Sequence, residues 1–77
     1  MGSWNHRLLA HIHDEEVYLQ VHEVYYNDDG IPNGYSENPV TIGSEEIKGI
    51  KWVLTNVRKC LDKPILYAGS NFPAEYN

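Results

Sequence analysis

Three polar side chains in the N-terminal third of the chain could together bind a small anion. A predicted β-hairpin register places Arg7 opposite His22, and Asn5 lies on the same face as Arg7. Opposed residues in a sheet have Cβ atoms about 4.5–5.5 Å apart, so both side chains could contact one ligand. Arginine offers paired donors for phosphate or carboxylate, and an aromatic ring could stack on a base or sugar. The predicted ligand-binding residues are Trp4, Asn5, Arg7, Tyr18, His22 and Tyr26; the alternative is that they are ordinary exposed strand residues.

Other polar clusters have simpler explanations. His6 opposes Glu23, which predicts a structural hydrogen bond or, alternatively, an acid–base pair, but no nucleophile accompanies it. His11 and His13 share a strand face and could chelate a metal with a third ligand, yet no further metal motif is present, so we predict no metal site and no cofactor. Residues 27–30 carry clustered side-chain oxygens but lack the long calcium-binding loop, and they predict a turn.

The hairpin that carries these residues has one favoured register. Its strands cover residues 4–12 and 17–26, joined at Asp14 and Glu15 or by a four-residue loop in the same register. Because side chains alternate across a strand, a slip of one residue would send every apolar side chain to the wrong face. What we call the front face carries Trp4, Leu8, Ala10, Ile12, Val17, Leu19, Val21 and Tyr25, with His6 and Glu23. The back face carries Asn5, Arg7, Leu9, His11, Tyr18, Gln20, His22 and Val24.

The rest of the chain predicts a third strand and one helix. The turn ending at Gly30 leads into residues 31–36, where Pro32 confines the strand to a sheet edge. Ser44 predicts a helix N-cap, and apolar residues then recur at helical spacing until Pro64 ends the pattern. Residues 65–67 could add a short fourth strand.

These elements predict an α+β fold in the order β-β-β-α, with or without the final strand. An antiparallel sheet of three or four strands would carry one helix on one face, in a single domain over residues 4–67 followed by a C-terminal tail over residues 68–77. Since one helix covers one face, we expect the back face to be open to solvent, a ligand or a second subunit.

Composition excludes some classes of function. Six Lys and Arg against eleven Asp and Glu give a formal net charge of −5, which is not the basic footprint of bulk nucleic-acid binding. No long apolar run and no basic-then-apolar N-terminus occurs, so we expect neither a membrane span nor a signal peptide. The single cysteine, Cys60, permits no internal disulfide, is expected to be an inert core thiol, and favours a cytoplasmic location.

Several segments resemble known bacterial proteins. Trp4-Asn5-x-Arg7, residues 22–26 (H-E-V-Y-Y) with Asp29-Gly30, then Pro39 and Lys63-Pro64-x-Leu66 are similar to a group of short bacterial proteins with W-N-x-R and H-E-V-Y-Y motifs. This resemblance implies the element boundaries and no particular chemistry. Residues 41–47 after a three-stranded sheet give a weaker topological similarity to HicB-like antitoxins.

The combined expectation is a small non-enzymatic binding module that forms a homo-oligomer. It would recognise a small anionic ligand such as a nucleotide on or beside the open sheet face. One alternative is a protein-interaction module, such as an antitoxin or an inhibitor of a toxin or defence protein, whose acidic surface meets a basic partner. Another is a small enzyme that depends on histidine and glutamate.

Overall fold

The computed structural model describes residues 2–76, which form a four-stranded sheet and one α-helix. The elements are β1 Ser3–His13, β2 Glu16–Tyr26, β3 Pro32–Tyr35, α1 Ile47–Arg58, a 3₁₀ helix Lys59–Asp62, β4 Leu66–Tyr67 and a second 3₁₀ helix Gly69–Asn71. The strand order is β3-β2-β1-β4. The predicted α+β class is confirmed, and Leu66 and Tyr67 supply the fourth strand that the sequence left open.

The sheet is mixed, so the prediction of a wholly antiparallel sheet is wrong at one edge. β1, β2 and β3 are antiparallel neighbours, whereas β4 runs parallel to β1 at Leu9 and Ala10. The reason lies in the connection: α1 carries the chain from the β3 edge to the β1 edge, and a helical crossover delivers the next strand in the same direction as the strand before it.

The hairpin register is confirmed at each predicted pair. Trp4 pairs with Tyr25, Arg7 with His22, and Ile12 with Val17. His13 also pairs with Glu16, so the connection is the two-residue turn at Asp14 and Glu15 rather than the longer loop. Asp14 adopts a φ of 56°, a left-handed conformation that aspartate tolerates better than most residues.

β3 is short and lies at the sheet edge, as Pro32 predicts. Gly30, with a φ of 77°, supplies the positive φ that closes the turn before it. Beyond β3 the chain still follows β2, because the backbone N–H groups of Ser36 and Val40 each donate to a β2 carbonyl at 2.8 Å.

The helix begins later than the sequence predicts. Ser44 is not the N-cap: its Oγ accepts from the backbone N–H of Glu46 at 3.2 Å, and Glu46 precedes the first helical residue, Ile47. Gly49 lets this Ser44 turn lie against the helix, since a Cβ there would stand only 2.7 Å from the Ser44 Cβ. No α1 side chain is buried, so the helix covers the front face only in part.

The back face is the core of the molecule, which corrects the prediction that it is open. Leu9, Val24 and Leu66 are buried there, with Tyr35 and Phe72 packed against them. The rings of Tyr35 and Phe72 meet edge to face with centroids 4.9 Å apart, and aromatic pairs in this arrangement stabilise the packing beyond their area.

The C-terminal segment, residues 68–76, provides this cover. The backbone N–H of Gly69 donates to Tyr35 Oη at 2.8 Å, and the backbone N–H of Tyr76 donates to the Ile65 carbonyl at 2.7 Å. A β-bridge joins Leu66 to Glu75. These described residues therefore pack with the sheet, while Asn77, the last residue of the predicted tail, lies outside the described residues.

Within residues 2–76, no helix combines the length and the apolar character that crossing a membrane requires.

Candidate functional site

The two side chains that were expected to contact the anion are both buried. Arg7 is 8% exposed and His22 is 1% exposed. The Arg7 guanidinium donates from Nη1 to Tyr26 Oη at 2.9 Å and from Nη2 to the Pro64 carbonyl at 2.7 Å. Arg7 therefore fastens β1 to the loop before β4, and its contacts are with the chain itself rather than with solvent.

Tyr26 links the same network to Asn5. The Tyr26 hydroxyl accepts from Arg7 and donates to Asn5 Oδ1 at 2.7 Å. Both acceptor and donor capacities of this hydroxyl are used, so Tyr26 orients Asn5 through its hydrogen bonds. Asn5 also lines the cleft described below.

His22 forms the centre of a second buried network. Its Nδ1 lies 3.0 Å from the Ser36 carbonyl oxygen and its Nε2 lies 3.0 Å from His11 Nε2. A carbonyl only accepts, so Nδ1 carries the proton, and Nε2 of neutral His22 then accepts from His11 Nε2–H. Burial lowers the pKa of His22, and this effect outweighs the hydrogen bond to the Ser36 carbonyl, which raises the pKa.

Tyr18 lies apart from these residues. It is exposed and pairs with His11 near the hairpin turn. The structure therefore divides the predicted site: Asn5, Arg7 and Tyr26 share one network, His22 belongs to another, and Trp4 lies on the front face.

A cleft opens where the N-terminal half of β1 faces α1. β4 pairs with β1 only at Leu9 and Ala10, so the outer edge of β1 before Leu9 has no strand partner in β4. The resulting cavity has a volume of about 280 Å³. We call it the tryptophan cleft; its lining residues are Trp4, Asn5, His6, Trp52, Asn56, Lys59 and Lys63.

The lining combines ring surfaces with positive charge. Trp4 and Trp52 are both exposed, and Trp4 meets the ring of His6 edge to face at 5.3 Å. Lys59 and Lys63 bring two ammonium groups, and no carboxylate is among the lining residues. In a chain with a net charge of −5, the charged residues that line the cleft are thus all basic.

The two asparagines can supply directional hydrogen bonds. Asn56 donates from Nδ2 to the Trp52 carbonyl at 2.8 Å, which orients its amide on the helix surface. Asn5 is oriented by Tyr26 from the opposite side of the cleft.

A second cavity adjoins the cleft over the front face. Its volume is about 260 Å³, and it shares Trp4, His6 and Trp52 with the cleft. Glu23 and Val53 are among its other lining residues. The space between helix and sheet thus continues on both sides of the two tryptophans.

Four cleft residues were missed by sequence reasoning, although a signal was present. Trp52, Asn56, Lys59 and Lys63 follow one another at spacings of four, three and four, which places them along one stripe of a helix.

The remaining candidates have structural roles in the described chain. Among the described residues, no hydrogen bond joins His6 to Glu23, and the Glu23 carboxylate instead accepts from the Tyr25 hydroxyl at 3.1 Å. Cys60 is buried, and burial raises the pKa of its thiol, so it behaves as an unreactive core residue.

Neither histidine near the turn belongs to a metal cluster. His13 is exposed, with its Nε2 3.9 Å from Asp14 Oδ2. Among residues 2–76, no group of three or more His, Cys, Asp or Glu side chains is placed to hold a metal ion.

Comparison with protein-family models finds no match to this chain. Comparisons with curated proteins and with solved structures find no match either.

Proposed function

We propose that this chain is a small binding module that holds an organic anion with a planar ring in the tryptophan cleft. The observation that carries the proposal is a cleft lined by two tryptophans and two lysines, without a carboxylate, in an otherwise acidic chain. The cleft side chains are stacking surfaces and hydrogen-bond donors, which suit binding rather than catalysis.

The chemistry of the lining indicates the class of ligand. Lys59 and Lys63 would hold a phosphate or carboxylate as point charges. Trp4 or Trp52 would stack on an aromatic ring of the ligand. In nucleic-acid sites, stacking of a base on an aromatic side chain contributes about 1–3 kcal/mol per base, whichever base it is. A volume near 280 Å³ lies at the small end of ligand pockets, which favours a single nucleotide or a smaller aromatic acid.

This proposal keeps the ligand class expected from the sequence and moves the site. Trp4 and Asn5 remain contact residues, and Tyr26 acts as a positioning residue through Asn5. The lysines take the role that the sequence analysis gave to Arg7, because Arg7 is committed to Tyr26 and Pro64.

The test uses the two tryptophans as reporters, since the chain contains no others. Adenosine 5′-monophosphate is titrated while tryptophan fluorescence and binding heat are recorded, with adenosine as the uncharged counterpart. We expect the monophosphate to quench fluorescence and to bind more tightly than adenosine. Lys59→Ala removes one charge-assisted contact and should weaken binding about tenfold. Lys51→Ala, a lysine of the same helix outside the cleft, should change little.

Three results would contradict the proposal. Equal binding of adenosine and its monophosphate would show that the cleft does not bind the negative charge. Equal losses in Lys59→Ala and Lys51→Ala would show a general charge effect. If adenosine 5′-monophosphate, inorganic phosphate and benzoate all changed neither the fluorescence nor the heat, the cleft would not bind the proposed class of ligand.

The proposal also places the module in the bacterial cytoplasm. Its support is the single cysteine, which permits no internal disulfide, and the resemblance of the W-N-x-R and H-E-V-Y-Y segments to short bacterial proteins. Fractionation of a bacterial host that carries the gene would test the location directly.

A further inference from the structure

The outer half of the hairpin carries an apolar patch that nothing in the described chain covers. Ile12, Val17 and Leu19 lie together on the front face, beyond the reach of β4. Ile12 is 49% exposed and Leu19 is 44% exposed, although the neighbouring Ala10 is fully buried. We call residues 12–19 the hairpin arm. The strand residues on its front face are apolar, which is typical of a buried surface.

The helix carries a second apolar surface. Ile47, Leu54 and Leu61 recur at spacings of seven, which keeps them on one side of the helix and of the turn after it. Ile47 is 75% exposed and Leu61 is 66% exposed, and no side chain of α1 is buried. An amphipathic helix usually gains its stability by burying its apolar residues, and these three remain exposed.

The total exposed area is larger than a folded monomer of this mass normally has. A folded monomer of 8.9 kDa is expected to expose about 4,800 Å². This chain exposes 5814 Å². The excess of about 1,000 Å² is close to the roughly 800 Å² that each partner buries in a standard protein–protein interface.

We infer that a second copy of the chain covers both surfaces, with the hairpin arm of each copy packed on the helix stripe of the other. Such an exchange is reciprocal, so one two-fold axis satisfies both contacts at once. The apolar character of the two surfaces is typical of homodimer interfaces, which are less polar than those of transient complexes. A second copy is also always present, and association adds stability to a small core.

The first test needs no substitution. Sedimentation velocity and native mass spectrometry should find twice the 8.9 kDa chain mass at micromolar concentration. The Tm should rise with protein concentration, because association adds stability only to the folded state. A folded monomer at hundreds of micromolar with a constant Tm would overturn the inference and assign the surfaces to another molecule. A larger closed oligomer would overturn the two-copy arrangement.

Neighbouring residues of one strand provide a matched pair of variants. Leu19→Lys places a charge on the front face of the arm, and Tyr18→Lys places the same charge on the back face, where the native ring is already exposed. Because each copy of the chain contributes its own Leu19 to the two-fold interface, Leu19→Lys should raise the dimer dissociation constant at least about 100-fold. Tyr18→Lys should leave it unchanged. Equal effects of the two variants would overturn the inference.

A mixing experiment tests the reciprocal contact. Leu19→Lys and Leu54→Glu should each weaken the homodimer, whereas a mixture of the two chains should recover a heterodimer in which the new lysine meets the new glutamate. Circular dichroism confirms that each variant is folded before mixing. A mixture of folded chains that stays monomeric would overturn the packing of arm on helix.

Discussion

Arg7 has the chemistry of a ligand-binding residue but is used to hold the fold together. Its guanidinium reaches Tyr26 Oη and the Pro64 carbonyl, and its Nε is buried without a hydrogen-bond partner among the described residues. A buried charge with incomplete hydrogen bonding costs more than a neutral group, so its retention depends on the contacts it makes. Arg7 is therefore expected to contribute to the stability of the fold rather than to ligand binding.

Arg7→Met should lower the free energy of unfolding by about 1–3 kcal/mol, because it leaves the Pro64 carbonyl without its donor. Urea denaturation measures this change, with Arg58→Met, an exposed arginine at the end of α1, as the control. Binding of the anion to folded Arg7→Met should persist. Loss of anion binding without a change in the free energy of unfolding would instead show that Arg7 contacts the ligand.

His22 should make the fold sensitive to acid. Its pKa in the unfolded chain is near 6.5, and burial lowers the pKa in the folded state. Below pH 6.5, His22 therefore binds a proton in the unfolded chain more readily than in the folded chain. The contribution of neutral His22 to the free energy of unfolding is full above pH 6.5 and falls as the pH drops toward the pKa of the folded state.

The measurement is the free energy of unfolding at pH 7.5 and pH 5.5. We expect wild type to lose more stability across this interval than His22→Gln, which has no proton to take up. His13→Gln, at an exposed histidine of the same hairpin, should behave as wild type. If His22→Gln proves too unstable to compare, the NMR titration of wild-type His22 decides: a midpoint at or above 6.5 would contradict the argument.

At the scale of elements, regular patterns were readable from the sequence and irregular contacts were not. The hairpin register followed from alternating apolar residues, since only one pairing keeps Leu8, Ala10 and Ile12 opposite Val21, Leu19 and Val17. The edge position of β3 followed from Pro32. Both signals are local, which is why the sequence carries them.

The C-terminal segment shows what the sequence could not supply. Residues 68–76 contain only scattered apolar side chains with no strand or helix period, yet their backbone bonds to Tyr35 and Ile65 bring them onto the sheet. The tryptophan cleft also includes a residue beyond the helices, because Lys63 follows the 3₁₀ helix Lys59–Asp62. The helical spacing of Trp52, Asn56 and Lys59 is visible in the sequence. The unpaired edge of β1 that lies opposite them is not.

Phe72 is the side chain through which this segment stabilises the core. Phe72→Ala should lower the free energy of unfolding by about 1–3 kcal/mol, less than for a fully buried phenylalanine because Phe72 keeps partial exposure. Urea denaturation checks it, with Ile31→Ala, at an exposed residue, expected to change stability by no more than about 0.5 kcal/mol. Faster hydrogen exchange at Leu9 and Val24 should accompany the Phe72 change, and equal effects of both variants would contradict this role.

At the scale of the whole molecule, charge and apolar surface oppose each other. Each copy carries −5, so two copies repel while their apolar surfaces attract. The Debye length is about 30 Å at 0.01 M salt and about 10 Å at 0.1 M. The longest extent of the chain is 38 Å, so repulsion acts across most of the molecule at low salt and only locally at high salt.

Salt should therefore affect the two proposed interactions in opposite directions. Raising sodium chloride from 0.01 M to 0.5 M screens the repulsion between copies and should lower the dimer dissociation constant. The same change screens Lys59 and Lys63 and should raise the Kd for adenosine 5′-monophosphate. Sedimentation equilibrium and fluorescence titration measure the two constants on one sample. If both interactions weakened together, the dimer would have to be held by charge pairs, because burial of the apolar arm and stripe cannot weaken as salt rises.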